Sequence, residues 1–122
     1  MILADTSVWI EHLRTGDEQL RQLLSHGQIV NHPFITAELA LGSLRGRATV
    51  LALLDRLPQA RVAQLGEVRQ MIETRRLSSL GIGLTDAHLI ASVFLNPPTR
   101  LWTRDKQLRK VADKLGIDAG LR

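Results

Sequence analysis

Short apolar runs alternate with longer helical patterns along this chain. Residues 1–4 form an uninterrupted apolar run that ends at Asp5, the pattern of a strand buried on both faces of a parallel sheet. Thr6 or Ser7 is placed to cap a helix carrying Val8, Trp9, Ile10 and Leu13, and Gly16 stops it. A second helix starts at Asp17 or Glu18, sets Leu20, Leu23 and Leu24 on one face and ends at Gly27. A short strand at 28–30 leads into the turn Asn31-His32-Pro33. Helical patterns follow over 36–44, 48–57 (stopped by Pro58) and 66–77, with a third short strand at 60–63. A Gly/Ser-rich loop spans 78–84, and Thr85 caps a helix from Asp86 to Leu95 that Asn96-Pro97-Pro98 terminates. Leu101-Trp102 is a further strand, residues 106–115 a helix closed by Gly116, and Ile117 starts a last extended piece. Strands alternating with helices predict an α/β fold with a central, mostly parallel sheet of four to five short strands flanked by helices.

Size and composition narrow the class. With 122 residues and no repeat or linker, residues 1–122 read as a single domain. The absence of cysteine excludes disulfides, thiolate metal sites and cysteine nucleophiles. The longest stretch free of Asp, Glu, Lys and Arg, residues 22–37, is broken by Gly27, Asn31, Pro33 and two histidines. It lacks the ~20 continuous apolar residues of a membrane span. The start has no basic region and meets an acid at Asp5, so no signal peptide is expected and a cytoplasmic protein is.

Four acids stand apart by placement. Asp5 follows the first strand, Glu38 lies early in the helix after the second, Asp86 opens the helix after the Gly-rich loop, and Asp105 follows Leu101-Trp102. In open α/β sheets ligands bind beyond the carboxyl ends of the strands, where all four are expected. At helical spacing Glu38 meets Phe34, Ile35, Leu41 and Gly42, and Asp86 meets Ile82, Gly83, Leu89 and Ile90. Neither has a basic partner one turn away, so both are expected on the inward stripe of their helices. Asp5, Asp86 and Asp105 also fit a second reading, as helix caps or first-turn acids. The other acids, Asp17 among them, read as solvated surface.

Carboxylates about 5 Å apart repel by roughly 3 kcal/mol per pair at an effective dielectric near 20. Four in one pocket therefore call for a cation, and oxygen-only donors point to Mg²⁺ or Mn²⁺ rather than Zn²⁺. Such ions activate water for displacement at phosphorus. Setting these four aside leaves eight acidic against 16 basic residues, a positive surface around an acidic hole. Arg100, Arg104, Lys106, Arg109, Lys110 and Lys114 crowd the last quarter, a surface suited to a phosphate backbone. Arg104 and Lys106 are the candidate contacts to that backbone. A receiver-like phosphorylation switch would need an acceptor Asp after the third strand and a Lys after a late one. Asp55 instead falls inside a helical pattern, and Thr103 follows the late strand. A non-catalytic nucleic-acid module would explain the basic surface but not the inward acids. The four histidines lack metal-ligand spacing, and Gly81-Ile82-Gly83 lacks the third glycine of a nucleotide-binding loop.

The opening Ile-Leu-Ala-Asp-Thr-Ser-Val-Trp-Ile resembles the start of a PIN domain. Thr36-Ala37-Glu38-Leu39, Leu84-Thr85-Asp86-Ala87-His88-Leu89-Ile90-Ala91 and Leu101-Trp102-Thr103-Arg104-Asp105 resemble its later motifs, in order along nearly the whole chain. The length is similar to that of single-domain VapC-like toxins of bacterial toxin–antitoxin pairs. The resemblance implies a PIN-like three-layer fold and a Mg²⁺- or Mn²⁺-dependent endoribonuclease. Asp5, Glu38, Asp86 and Asp105 would be its acidic quartet, Asp5 and Asp86 the surest metal ligands, and Ser7 and Thr103 hydroxyls beside the acids. It further implies a homodimer and a small antitoxin whose tail enters the active-site groove. Residues 46–80 carry no motif of the family.

Overall fold

The computed structural model describes residues 1–122. Ten elements follow one another: β1 (Ile2–Ala4), α1 (Thr6–Thr15), α2 (Glu18–Ser25), β2 (Ile29–Val30), α3 (Pro33–Ala40), α4 (Arg47–Arg56), α5 (Leu65–Thr74), α6 (Leu84–Leu95), β3 (Arg100–Trp102) and α7 (Lys106–Lys114). The strands are all parallel in the order β2-β1-β3. Leu3 sits opposite Val30 on one side and Leu101 on the other. Successive strand residues point to opposite faces. Leu3 and Ala4, Ile29 and Val30, and Leu101 and Trp102 are nevertheless all buried. Both faces are therefore covered, which is the three-layer arrangement. The core joins these residues to Trp9 of α1, Leu39 of α3, Leu89 and Ile90 of α6 and Leu108 and Val111 of α7.

The sheet has three strands where the sequence suggests four to five. Residues 60–63 do not form a strand. A parallel bridge joins Asn31 to Gln59, through Asn31 N to Pro58 O and Ala60 N to Asn31 O, both 2.7 Å. On the opposite side of this segment the Arg61 amide donates to Asn96 Oδ1 at 3.4 Å, and no further pairing follows. The Ile117 piece likewise makes one bridge, Leu101 to Asp118, on the other edge. Each outer segment covers one sheet edge and goes no further.

Helix α3 begins at Pro33, three residues before the expected start. His32 acts as its cap, with Nδ1 accepting from Phe34 N at 2.9 Å, and Pro33 fits the first turn because its missing N–H would be unpaired there anyway. Helix α6 likewise starts at Leu84, so Thr85 lies inside it and Gly83 holds the cap position. Asp5, rather than Thr6 or Ser7, caps α1.

Candidate active site

Parallel strands put their carboxyl ends on one edge. β1 delivers Asp5 there, β2 leads into α3 with Glu38, and β3 leads through Thr103 to Asp105. Helix α6 leads back into β3, so its first turn, with Asp86, lies at the same edge. The electrostatics register the convergence. Burial pushes the Asp86 carboxyl above its usual range, and the charges of Asp105, Asp5 and Glu38 push it further, against the lowering hydrogen bond from Gly83.

Asp5 is the most enclosed of the four, at 4% exposure. Its Oδ1 accepts from Ser7 N at 3.0 Å and Ser7 Oγ at 2.5 Å, and its Oδ2 accepts from Thr103 Oγ1 at 2.6 Å. Burial raises its carboxyl above the normal range even though these donors favour the charged form. Thr103 Oγ1 in turn accepts from Asp105 N at 3.0 Å, and Ser7 Oγ accepts from Arg104 N at 3.0 Å. The two hydroxyls named in the sequence therefore tie Asp5 to the β3–α7 turn. Thr103→Val would leave the Asp105 amide without this partner and strip one donor from a buried carboxylate. The expected cost is ~1–3 kcal/mol, seen as a lower midpoint in urea unfolding with an unchanged m-value.

The capping alternative also holds for three acids. Asp5 caps α1, Asp105 Oδ1 caps α7 through Leu108 N at 3.0 Å, and Asp86 Oδ2 accepts from Gly83 N at 3.3 Å. Capping engages only one oxygen of Asp105 and of Asp86, and leaves the other without a protein donor.

Glu38 corrects the sequence reading. It is exposed, and so is Leu41 at 89%. The inward face of α3 carries Ile35 and Leu39, and the stripe through Phe34, Glu38 and Leu41 turns outward. Of the neighbours that suggested burial, Leu41 and Gly42 are exposed, Phe34 is half-buried and only Ile35 is buried. Glu38 Oε1 accepts from Thr6 Oγ1 at 3.3 Å, a contact with α1 that no local pattern announces. Asp86 is half-buried and Asp105 exposed.

The basic candidates divide. Lys106 is exposed at the first position of α7. Arg104 is not a free cation, because its guanidinium is paired with Asp17 and also donates to the carbonyl of Arg122 at 3.2 Å. Asp17, read from the sequence as solvated surface, keeps only 12% of its side chain exposed.

The four acids offer hard oxygen donors only. No three of them close on one point. That arrangement fits Mg²⁺, which keeps several waters and takes one or two carboxylates together with substrate phosphate oxygens. The largest cavity, about 320 Å³, lies elsewhere, between α5 and α6 beside Ala63, Met71, Ala91 and Phe94.

Comparisons with known proteins agree with this architecture. A family model described as PIN domain matches residues 2–114. Ribonuclease VapC32 of Mycobacterium tuberculosis, in both strain CDC 1551 / Oshkosh and strain ATCC 25618 / H37Rv, is 47% identical over 117 residues, 96% of this chain and 94% of the relative. With its parallel sheet and its acids gathered at the carboxyl edge, the chain belongs to the PIN domain family.

Proposed function

We propose that this protein is a Mg²⁺- or Mn²⁺-dependent endoribonuclease and the toxin of a toxin–antitoxin pair, acting in the cytoplasm. The observation that carries the reading is the placement of four carboxylates from four separate chain segments at one edge of the sheet, where burial and the charges of the other three acids raise the Asp86 carboxyl. The ribonuclease name of a relative 47% identical over 96% of the chain supports the substrate class.

Asp5 and Asp86 would hold the cation, with Asp105 and Glu38 completing the site. When bound, the cation offsets the charge of the phosphate oxygens and makes water a better nucleophile at neutral pH. Ser7 and Thr103 hold the Asp5 carboxylate in one orientation, so its direction is set before substrate arrives. Glu38 keeps one oxygen free of protein donors and reaches solvent, where it can orient the attacking water. No side-chain nucleophile is required. Lys106, exposed beside Asp105, is placed to meet the RNA backbone. The expected result is RNA cleavage with Mg²⁺ or Mn²⁺ and none in EDTA. Equal cutting under both conditions would refute the reading.

Several large apolar side chains are exposed, among them Ile10 at 47%, Leu41 at 89%, Leu65 at 63% and Leu84 at 56%, and such exposure supports protein partners, here an antitoxin and a second copy. Sedimentation at micromolar concentration should give twice the 13.6 kDa chain mass, and the mass of one chain would contradict the homodimer. No helix is long and apolar enough to cross a membrane.

A further inference from the structure

Arg104 stands between two residues of the site and points away from it. Its amide donates to Ser7 Oγ at 3.0 Å, and Ser7 Oγ donates to Asp5 Oδ1 at 2.5 Å. Its neighbours in sequence are Thr103, bonded to Asp5 Oδ2, and Asp105. The side chain pairs with Asp17 Oδ2, donates to the Arg122 carbonyl at 3.2 Å, and sets its guanidinium carbon 5.3 Å from the centre of the Trp102 ring. Asp17 is itself fixed twice over. Its Oδ1 caps α2 through Leu20 N at 2.9 Å, and its own amide donates to His12 Nδ1 at 3.0 Å. One arginine therefore joins the α1–α2 corner, the end of the chain and the start of α1 to the turn that carries Asp105.

We propose that Asp17 and Arg104 are a positioning pair for the acidic site, holding the β3–α7 turn against α1 so that Asp105 and Asp5 keep their relative placement, an inference that rests on the nuclease reading above. The pair is mostly enclosed, with side chains 12% and 26% exposed. Enclosed ion pairs contribute little net stability but can favour one arrangement over others, and removing one partner strands the other charge. Burial alone would raise the Asp17 carboxyl, but the hydrogen bond from Arg104, the Leu20 amide and the nearby positive charge outweigh it and hold it below the usual range. The pair is ionised at neutral pH. A phosphate could claim the guanidinium only by breaking it.

Asp17→Asn separates the two roles by sign. Asparagine keeps an oxygen to cap α2 and removes the charge facing Arg104. A positioning pair predicts a kcat for RNA cleavage lower by ~10- to 100-fold, as expected for a small misplacement of catalytic groups, with KM and the salt dependence of RNA binding unchanged. A direct phosphate contact by Arg104 predicts tighter RNA binding instead, because the guanidinium is freed. Arg104→Gln should lower kcat like Asp17→Asn, the double variant should lose no more than either single, and Arg104→Lys should recover part of the rate. A measurement without RNA keeps the inference testable on its own. Hydrogen exchange at the Arg104 amide, bonded to Ser7 Oγ, should be at least ~10-fold faster in Asp17→Asn, with the amide of Leu89 in α6 unaffected. If the wild type fails to cut RNA, the nuclease reading falls and the exchange experiment still judges the pair. Unchanged kcat and exchange in Asp17→Asn, tighter RNA binding, or additive losses in the double variant would overturn it.

Discussion

Asp86→Asn is expected to cleave RNA at least ~100-fold more slowly than the wild type at saturating Mg²⁺, a loss of about 2.7 kcal/mol of transition-state stabilisation. The substitution is close to isosteric. Asparagine keeps an oxygen for the Gly83 amide, so the first turn of α6 should stay intact. What disappears is a charge that interacts with those of Asp105, Asp5 and Glu38. Burial and the neighbouring acids raise the Asp86 carboxyl, so the wild-type rate should fall as pH drops through that raised value, where the donor is protonated. Single-turnover cleavage against Mg²⁺ concentration is the measurement. An Asp86→Asn enzyme with wild-type rate and metal dependence would remove this residue from the site.

Asp5→Asn should melt higher than the wild type in the absence of metal, gain little from Mg²⁺ and cut no RNA. Burial holds the folded carboxyl above its ordinary value, so folding disfavours the ionised form and carries a cost at neutral pH, where the unfolded carboxyl is ionised. As pH rises from the unfolded value, about 3.9, through the higher folded value, the wild type loses stability that the variant never had. The difference between the two proteins should therefore be largest near neutral pH and shrink in acid. Each kcal/mol is worth about 3–5 °C in a chain of this size. Loss of the capping charge at the start of α1 acts the other way, by roughly 0.3–1 kcal/mol. The raised carboxyl already includes the favourable donors of Ser7 and Thr103, and burial still prevails over them. Mg²⁺ should stabilise the wild type by mass action. A variant that melts lower without metal, and shifts with Mg²⁺ as much as the wild type, would make Asp5 a cap and nothing more.

Much of this arrangement is legible in the chain because local signals decide it. An apolar run of four residues ending in Asp5 specifies a buried strand and the acid that follows it. Asp105 after Leu101-Trp102 does the same on the far side of β1. The misreadings arise where distant partners or unusual caps decide. His32 caps α3 through its ring, so the helix starts three residues before Thr36, within what reads as a turn. Glu38 has apolar neighbours at helical spacing, but only tertiary packing decides which stripe of α3 faces inward. Residues 60–63 have strand composition, yet the chain makes one bridge, at Gln59, and leaves the sheet, a choice that the local sequence does not announce. Arg104 meets Asp17 across 87 positions of sequence, and neither residue carries a local sign of the other.

The central strand of the sheet, β1, precedes β3, which completes one of its sides, by nearly a hundred residues. Ile2 lies opposite Arg100 and Ala4 opposite Trp102, and Thr103 reaches back across 98 positions to Asp5. Pairing of this kind carries a high loop-closure cost and waits for the remote segment. While the chain is still on the ribosome, Asp5 has neither its Thr103 hydroxyl nor its neighbour Asp105 until the stretch beyond residue 100 has emerged. The acidic cluster is therefore assembled only once the segment carrying β3 and α7 has joined β1, so a partly made chain holds Asp5 without its neighbours.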